Sequence, residues 1–206
     1  MDMHVHFRDP GYTHKEDWKT GSESAACGGV TAVVDMPNTN PFTSDYSQFK
    51  EKERIAKQKS VVDFGIGINV EENLTEQDWF ETVPAAFWKL YPYGISSKDY
   101  FRLAQEVLGK TKKPLVVHCE HPDYMHNNPL EKLSDHTENR LIAEEKCLSE
   151  MPPSKYLHVA HLSTSNGLRN LPSQSSTEVC PHHLLLNLDN CRSVSYTHLT
   201  LPTKQP

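Results

Sequence analysis

No apolar run in the 206 residues approaches the length of about 18 that is needed to cross a bilayer. The first ten residues, MDMHVHFRDP, have neither the basic segment nor the apolar segment of a secretory signal. The sequence therefore predicts a soluble, cytoplasmic protein with no membrane partner.

Basic charge is also scarce, since 21 Lys and Arg residues stand against 27 Asp and Glu and the net charge is -6. The basic residues form no cluster of the kind that contacts phosphate backbones. A nucleic-acid partner is therefore not expected, and a small-molecule substrate fits better. The composition leaves a homo-oligomer open.

Cysteine is limited to five residues, an odd number without any C-x-x-C pair. This pattern favours neither a disulfide framework nor a zinc finger, so we expect reduced thiols. Histidine is abundant instead, with twelve residues. Because imidazole is the most common metal ligand in proteins, the location of these histidines matters more than their number.

Seven short apolar runs predict seven strands: MHVHF, TAVVDMP, VDFGIGINV, AAFWKLY, KPLVVHCE, YLHVAHLS and STEVCPHHLLL. Amphipathic stretches between them predict helices, among them SDYSQFKEKERIAKQ and SSKDYFRLAQEVLGK with a Ser start signal, and TENRLIAEEKCLSEM. Alternating strands and helices indicate a parallel α/β sheet. A doubly wound sheet would need a Gly-rich turn after an early strand, whereas GGV precedes its strand. We therefore predict a (β/α)8 TIM barrel with about seven of its eight strands present.

Polar side chains end several of these runs, as expected for the functional face of a barrel. They are His4, His6, Asn38, Lys89, His118 and His161. Histidines two apart on a strand point to the same side, so His4 and His6 can share one ion. Taken singly, each histidine is equally explained as a hydrogen-bonded core residue or a solvent-facing one.

Lys89 lies between aromatic and aliphatic neighbours in AAFWKLYPY, where burial should lower its pKa. A neutral lysine amine can react with carbon dioxide, and the resulting carbamate could bridge two metal ions. The alternative is a lysine whose stem is buried while its ammonium reaches solvent.

The segment from Asp2 to Pro41, DMHVHFRDPGYTHKEDWKTGSESAACGGVTAVVDMPNTNP, resembles the opening of the dihydroorotase branch of the amidohydrolase superfamily. The resemblance continues through KLYPYG, VVHCE, HVAHLST and EVCPHHLLL, to about residue 190. It implies two Zn²⁺ ions with a bridging hydroxide. It assigns His4 and His6 to one ion, His118 and His161 to the other, and Lys89 to a bridging N6-carboxylysine.

The resemblance also implies that Arg8 and Asn38 hold the substrate carboxylate, a role that suits a planar guanidinium. The alternatives are a surface ion pair with Asp9 or Asp17 for Arg8, and a turn residue before Pro41 for Asn38. The implied reaction is the reversible cyclisation of N-carbamoyl-L-aspartate to dihydroorotate and water in pyrimidine biosynthesis.

The sequence departs from the family in two respects, because one C-terminal segment is missing and the last residues do not match the family. The D-H-A-P-H segment after the eighth strand, which carries a metal-binding and acid/base aspartate, is absent. We therefore interpret residues 1–192 as a partial barrel and 193–206 as a tail foreign to the family, with no catalytic acid/base in the chain and little activity of its own.

Two alternative functions remain open at this stage. One is another cyclic amidohydrolase, such as allantoinase, hydantoinase or dihydropyrimidinase, although the FRDPG segment argues against these. The other is a dihydroorotase-like scaffold without activity, which should have lost metal ligands.

Overall fold

The computed structural model describes residues 1–125 and 133–185 of the chain. The expected domain boundary near residue 192 and the tail 193–206 lie outside these described residues.

Seven strands form a single sheet in which all neighbours are parallel and follow the order of the sequence. They are β1 (Asp2–Val5), β2 (Ala32–Asp35), β3 (Asp63–Asn69), β4 (Phe87–Leu90), β5 (Leu115–Val117), β6 (Leu157–Val159) and β7 (Ser176–Thr177). Six of them lie within predicted segments, and β1 begins at Asp2, one residue before the segment MHVHF. The topology confirms the prediction of a partial TIM barrel.

Helices follow six of the seven strands: α1 (Trp18–Cys27), α2 (Tyr46–Lys59), α3 (Ser97–Lys110), α4 (Leu133–Glu150), α5 (Ser165–Arg169) and α6 (Pro181–Leu185). Between β3 and β4 the described chain forms only the short 3-10 helix Leu74–Glu76. The predicted Ser start is confirmed for α3, where Ser96 accepts a hydrogen bond from the Asp99 amide. It is wrong for α2, which begins with a capping box between Asp45 and Gln48. Helices α2, α3 and α4 match predicted segments, whereas α1 and α5 were not predicted.

The prediction for the seventh strand extended too far along the sequence. Strand β7 contains only Ser176 and Thr177, and the segment that begins at Pro181 is helical. Proline favours the first turn of a helix, because its fixed φ suits that position and its missing N–H has no partner there. The apolar run after Pro181 therefore belongs to α6.

The two faces of the sheet bury different residues. Trp88 and Leu115 pack in the large core between the strands and the helices. Phe87 and Val116 pack in a smaller cluster on the opposite face, the inside of the barrel. Because successive side chains of a strand alternate between faces, Lys89 shares the inner face with Phe87.

Within 1–125 and 133–185, none of the helices combines the length and the apolar content that crossing a membrane requires.

Candidate metal centre

The predicted ligands meet at the C-terminal ends of four different strands. The His4 and His6 rings lie 5.1 Å apart at the end of β1, between their centroids. His118 follows β5 and His161 follows β6, and their ring centroids are 4.4 Å apart. The His4 and His161 rings, 5.7 Å apart, join the two pairs. The fold thus brings together four imidazoles that are dispersed along the sequence.

Lys89 lies on β4, the neighbour of the strand that His118 follows. Its side chain is fully enclosed, and its Nζ atom has no hydrogen-bond partner among the residues that the structure describes. Burial lowers the pKa of this amine to about 7. The interpretation of Lys89 as a lysine that reaches solvent is therefore wrong, because its amine is buried, and a pKa of about 7 leaves about half of it neutral at pH 7.

The imidazoles are held in the neutral form that metal binding requires. Burial lowers the pKa of all four, and the charge of nearby Lys89 lowers each further.

Hydrogen bonds select which nitrogen of His118 faces its neighbours. Nε2 lies 2.9 Å from the Tyr93 hydroxyl and 3.2 Å from Glu120 Oε2. A carboxylate can only accept, so Glu120 favours a proton on Nε2. Nδ1 is thereby directed at Nε2 of His161, 2.6 Å away.

The other two histidines are oriented in a similar way. Nδ1 of His6 donates to Oδ1 of Asn38 at 2.8 Å, since an amide oxygen can only accept. Nδ1 of His4 contacts the Glu178 carboxylate. In both rings a proton on Nδ1 would leave the lone pair of Nε2 available to a metal ion.

Glu178 is a residue of this site that the sequence analysis missed. It follows β7, and its carboxylate contacts both His4 and His158. Although burial raises its pKa, hydrogen bonds from His158 and His4 bring it below the usual range for a glutamate. The signal was present in the sequence, because Glu178 is a charged residue within the apolar run STEVCPHHLLL.

The donor set suits a metal ion after a small rearrangement. No three His, Cys, Asp or Glu side chains of the described residues already form a site that could hold one. Two nitrogens bound to one tetrahedral zinc would be roughly 3.3 Å apart, given Zn–N bonds near 2.05 Å. His118 and His161 would need to separate by about 0.7 Å from their present spacing. The chemistry of the four neutral imidazoles and of the Lys89 amine, which has no hydrogen-bond partner among the described residues, therefore suits a metal centre.

Arg8 and Asn38 lie beside the histidines on the loops that follow β1 and β2. Arg8 Nη1 donates to the backbone oxygen of Asn38 at 3.5 Å. Arg8 has a φ of 61° and His161 a φ of 39°, a region that non-glycine residues seldom adopt. Such conformations cluster at functional sites, where the surrounding structure stabilises them. The carboxylates named as alternative partners of Arg8 have other roles, since Asp9 pairs with Lys59 and Asp17 caps α1.

A cleft of about 480 Å³ lies near the histidines but is not lined by any of the four, nor by Arg8 or Asn38. Phe42, Asn69, Glu71, Tyr91 and Tyr93 are among the residues that line it. Tyr93 connects the cleft to the centre through its contact with His118.

Known proteins resemble this chain in both sequence and fold. A family model described as "Dihydro-orotase-like" matches residues 1–93. The dihydroorotase of Methanosphaera stadtmanae is 36% identical over 91% of this chain and 48% of its own length. That of Methanothermobacter thermautotrophicus is 34% identical over 100% of this chain and 51% of its own. The chain thus spans about half the length of the curated relatives it matches.

Solved structures support the fold. The L-hydantoinase (dihydropyrimidinase) of Arthrobacter aurescens superposes with a TM-score of 0.79 at 23% identity, covering 91% of this chain and 48% of that one. A dihydroorotase from Campylobacter jejuni gives a TM-score of 0.60 at 18% identity, covering 92% and 55%. The solved structures thus show the fold of the chain, and the sequence matches place residues 1–93 in the dihydroorotase-like family.

Proposed function

We propose that this chain contributes the metal-binding and carboxylate-binding half of a dihydroorotase, which interconverts N-carbamoyl-L-aspartate and dihydroorotate. The observation that carries the proposal is the grouping of four imidazoles, one buried and three partly buried, at the end of the sheet that also holds the buried amine of Lys89, with Arg8 on the adjacent loop. The relatives that match over most of the chain are dihydroorotases.

The ligand assignment follows the ring orientations. His4 and His6 would hold one Zn²⁺ ion and His118 and His161 a second, with Lys89 as an N6-carboxylysine between them. When bound, the two ions supply Lewis-acid activation of water and of the ring amide carbonyl. The hydrogen-bond acceptors Glu178, Asn38 and Glu120 fix the ring orientations before any ion arrives.

Arg8 and Asn38 would orient the substrate through its carboxylate. A guanidinium can form two parallel hydrogen bonds with a carboxylate, which fixes both position and angle. Fixing the ring in this way holds its amide carbonyl toward the histidines, and such orientation contributes strongly to rate.

We also propose a cytoplasmic location. Cys27, Cys119, Cys147 and Cys180 are all unpaired, which suits a reducing compartment.

The test joins residues 1–185 to the part of the Methanosphaera stadtmanae dihydroorotase that lies beyond the matched region. This fusion should bind two zinc ions and interconvert carbamoyl aspartate and dihydroorotate, with little turnover of allantoin or hydantoin. A His118→Ala/His161→Ala fusion is the control for activity from other sources. Turnover of hydantoin above dihydroorotate, or a folded fusion without bound metal, would contradict the proposal.

A further inference from the structure

Helix α2 presents two lysines toward the loops that carry Arg8 and Asn38. Lys52 and Lys59 are seven residues apart, about two helical turns, and therefore share a face. Lys52 is fully buried. Its Nζ lies 2.6 Å from Oδ2 of Asp35 and donates to the backbone oxygen of Met36 at 2.7 Å. Lys59 donates to Oδ2 of Asp9 at 2.6 Å.

These contacts reach both loops from one helix. Asp35 ends β2, and its other oxygen, Oδ1, accepts a hydrogen bond from the Phe7 amide at 2.7 Å. Lys52 is thus connected to the residue before Arg8 and, through Met36, to the segment that leads to Asn38. Lys59 holds Asp9, the residue after Arg8. The backbone of Arg8 is therefore fixed on both sides.

The two loops also touch each other directly. Gly11 has a φ of 95°, and a side chain there would meet the backbone oxygen of Asn40 at 2.2 Å. The Asn40 amide donates to the Pro10 oxygen at 3.1 Å. Any displacement of one loop is consequently transmitted to the other, so the spacing between Arg8 and Asn38 depends on both.

Stability alone does not account for the buried pair of Lys52 and Asp35. Removing two charges from water costs several kcal/mol per ion, and well-packed apolar residues of the same volume often stabilise a protein equally well. A buried ion pair does, however, fix the geometry of the groups that it joins. Here those groups are the backbone segments on either side of the site that Arg8 and Asn38 form.

We propose that Lys52 and Lys59 are positioning residues for the carboxylate-binding site, because they hold the loops of Arg8 and Asn38 at the spacing that a substrate carboxylate requires. This inference rests on the proposed function for its ligand. Its structural part, the ordering of the two loops by α2, can be measured separately.

The experiment uses the 206-residue chain with zinc and compares three variants. Lys59→Met removes the contact with Asp9, and Lys52→Met/Asp35→Leu replaces the buried pair by apolar residues. Lys57→Met is the matched control, because Lys57 lies on the same helix with an exposed side chain that pairs with Glu53. The ligands are orotate and uracil, which share a ring and differ in the carboxylate.

Both loop variants should bind orotate at least about tenfold more weakly, since small displacements of a positioned group have effects of this size. Uracil affinity and zinc content should stay unchanged, as should all properties of Lys57→Met. Hydrogen exchange at the backbone amides of residues 7–12 and 38–43 should accelerate, while that of β5 stays constant. If the double variant fails to fold, Lys59→Met alone tests the inference. The Lys59 side chain is 40% exposed, so its replacement should leave the fold intact.

Unchanged loop exchange and unchanged orotate affinity in the variants would overturn the inference. An unsubstituted chain that binds orotate no better than uracil would overturn the carboxylate site, and with it the ligand part of the inference. In that case the hydrogen-exchange rates of residues 7–12 and 38–43 would still show whether α2 orders these two loops.

Discussion

Nδ1 of His118 and Nε2 of His161 face each other at 2.6 Å, although 43 residues separate them in the sequence. The contact arises because β5 and β6 are parallel neighbours and both histidines follow the strand ends. A proton shared between these nitrogens occupies the place where a cation would bind. Because both rings are neutral, zinc binding should move this proton to the other nitrogen of His161, so that each ring directs a lone pair at the ion.

Replacing Lys89 by Met should stabilise the zinc-depleted chain near pH 7. Burial lowers the pKa of Lys89 to about 7 from 10.5, so between these values the unfolded chain binds more protons and the stability of the native protein rises with pH. The advantage of Lys89→Met should therefore be greatest below pH 7 and shrink by about 1.4 kcal/mol per pH unit above it. Urea denaturation at pH 7, 8 and 9 measures this change. A difference that does not vary with pH would show that the amine is solvated.

The neutral amine of Lys89 should also capture carbon dioxide. With zinc and ¹³C-labelled bicarbonate at pH 8, the chain should show a carbamate carbonyl resonance that Lys89→Ala lacks. Added acetate should partly restore zinc binding to Lys89→Ala, since it supplies the missing carboxylate oxygens. A resonance that persists in the variant would assign the carbamate to another amine.

Two substitutions of Asn38 should separate its contact with His6 from its contact with substrate. Asn38→Asp keeps an oxygen that can accept from His6 Nδ1, so zinc affinity should persist, but the added charge should repel a carboxylate ligand. Asn38→Leu removes the acceptor and should lower zinc affinity by roughly 10- to 100-fold. Competition with a chromogenic chelator measures zinc affinity, and orotate titration measures the ligand. Equal zinc affinity in both variants would show that Asn38 does not orient His6.

Arg8→Lys should not behave as a conservative change in the fusion with the Methanosphaera stadtmanae segment. An ammonium cannot hold a carboxylate through two parallel hydrogen bonds, so kcat/KM for dihydroorotate should fall by about tenfold or more, mainly through KM. Zinc content should be unchanged, which serves as the internal control. A normal KM would place the carboxylate elsewhere.

Gly67→Ala should destabilise the chain from inside the barrel. A Cβ atom at this position of β3 would lie 2.0 Å from the Phe87 ring, so the ring must shift and stability should fall by about 1 to 3 kcal/mol. Gly109→Ala is the matched control, because nothing lies within 4 Å of its Cβ position on α3. That control should be neutral or stabilising by up to about 1 kcal/mol. Equal stability of the two variants would mean that the interior near Phe87 is loosely packed.

The strands and the convergence of the histidines were predictable because they depend on local pattern and on a general property of parallel sheets. An apolar run identifies a buried segment, and the functional residues of a barrel lie at the C-terminal ends of its strands. The end of β7 was not predictable in this way. A short segment that ends in apolar residues fits a strand and a helix equally well, so Pro181–Leu185 was assigned to the wrong element.

The residues that support the proposed ligands and the carboxylate-binding loops were harder to predict from the sequence. Lys52 occupies a stretch rich in charged residues, SQFKEKERIAKQK, whose pattern suggests a solvated helix face. Its burial depends on Asp35, a carboxylate that only the fold places within reach. The contacts of Tyr93 and Glu120 with His118 likewise depend on loop geometry, which residue spacing does not encode.

The pairing of His4 with Glu178 joins positions that are 174 residues apart. A ribosome adds residues in order, so β1 emerges long before the strands that provide its partners. His4 and His6 therefore leave the ribosome without His118 and His161, the other proposed histidine ligands. Glu178, which orients His4, becomes available only after β7 has been synthesised and has joined the sheet. Because contacts between distant parts of a chain form slowly, zinc uptake should be among the last events in the maturation of this protein.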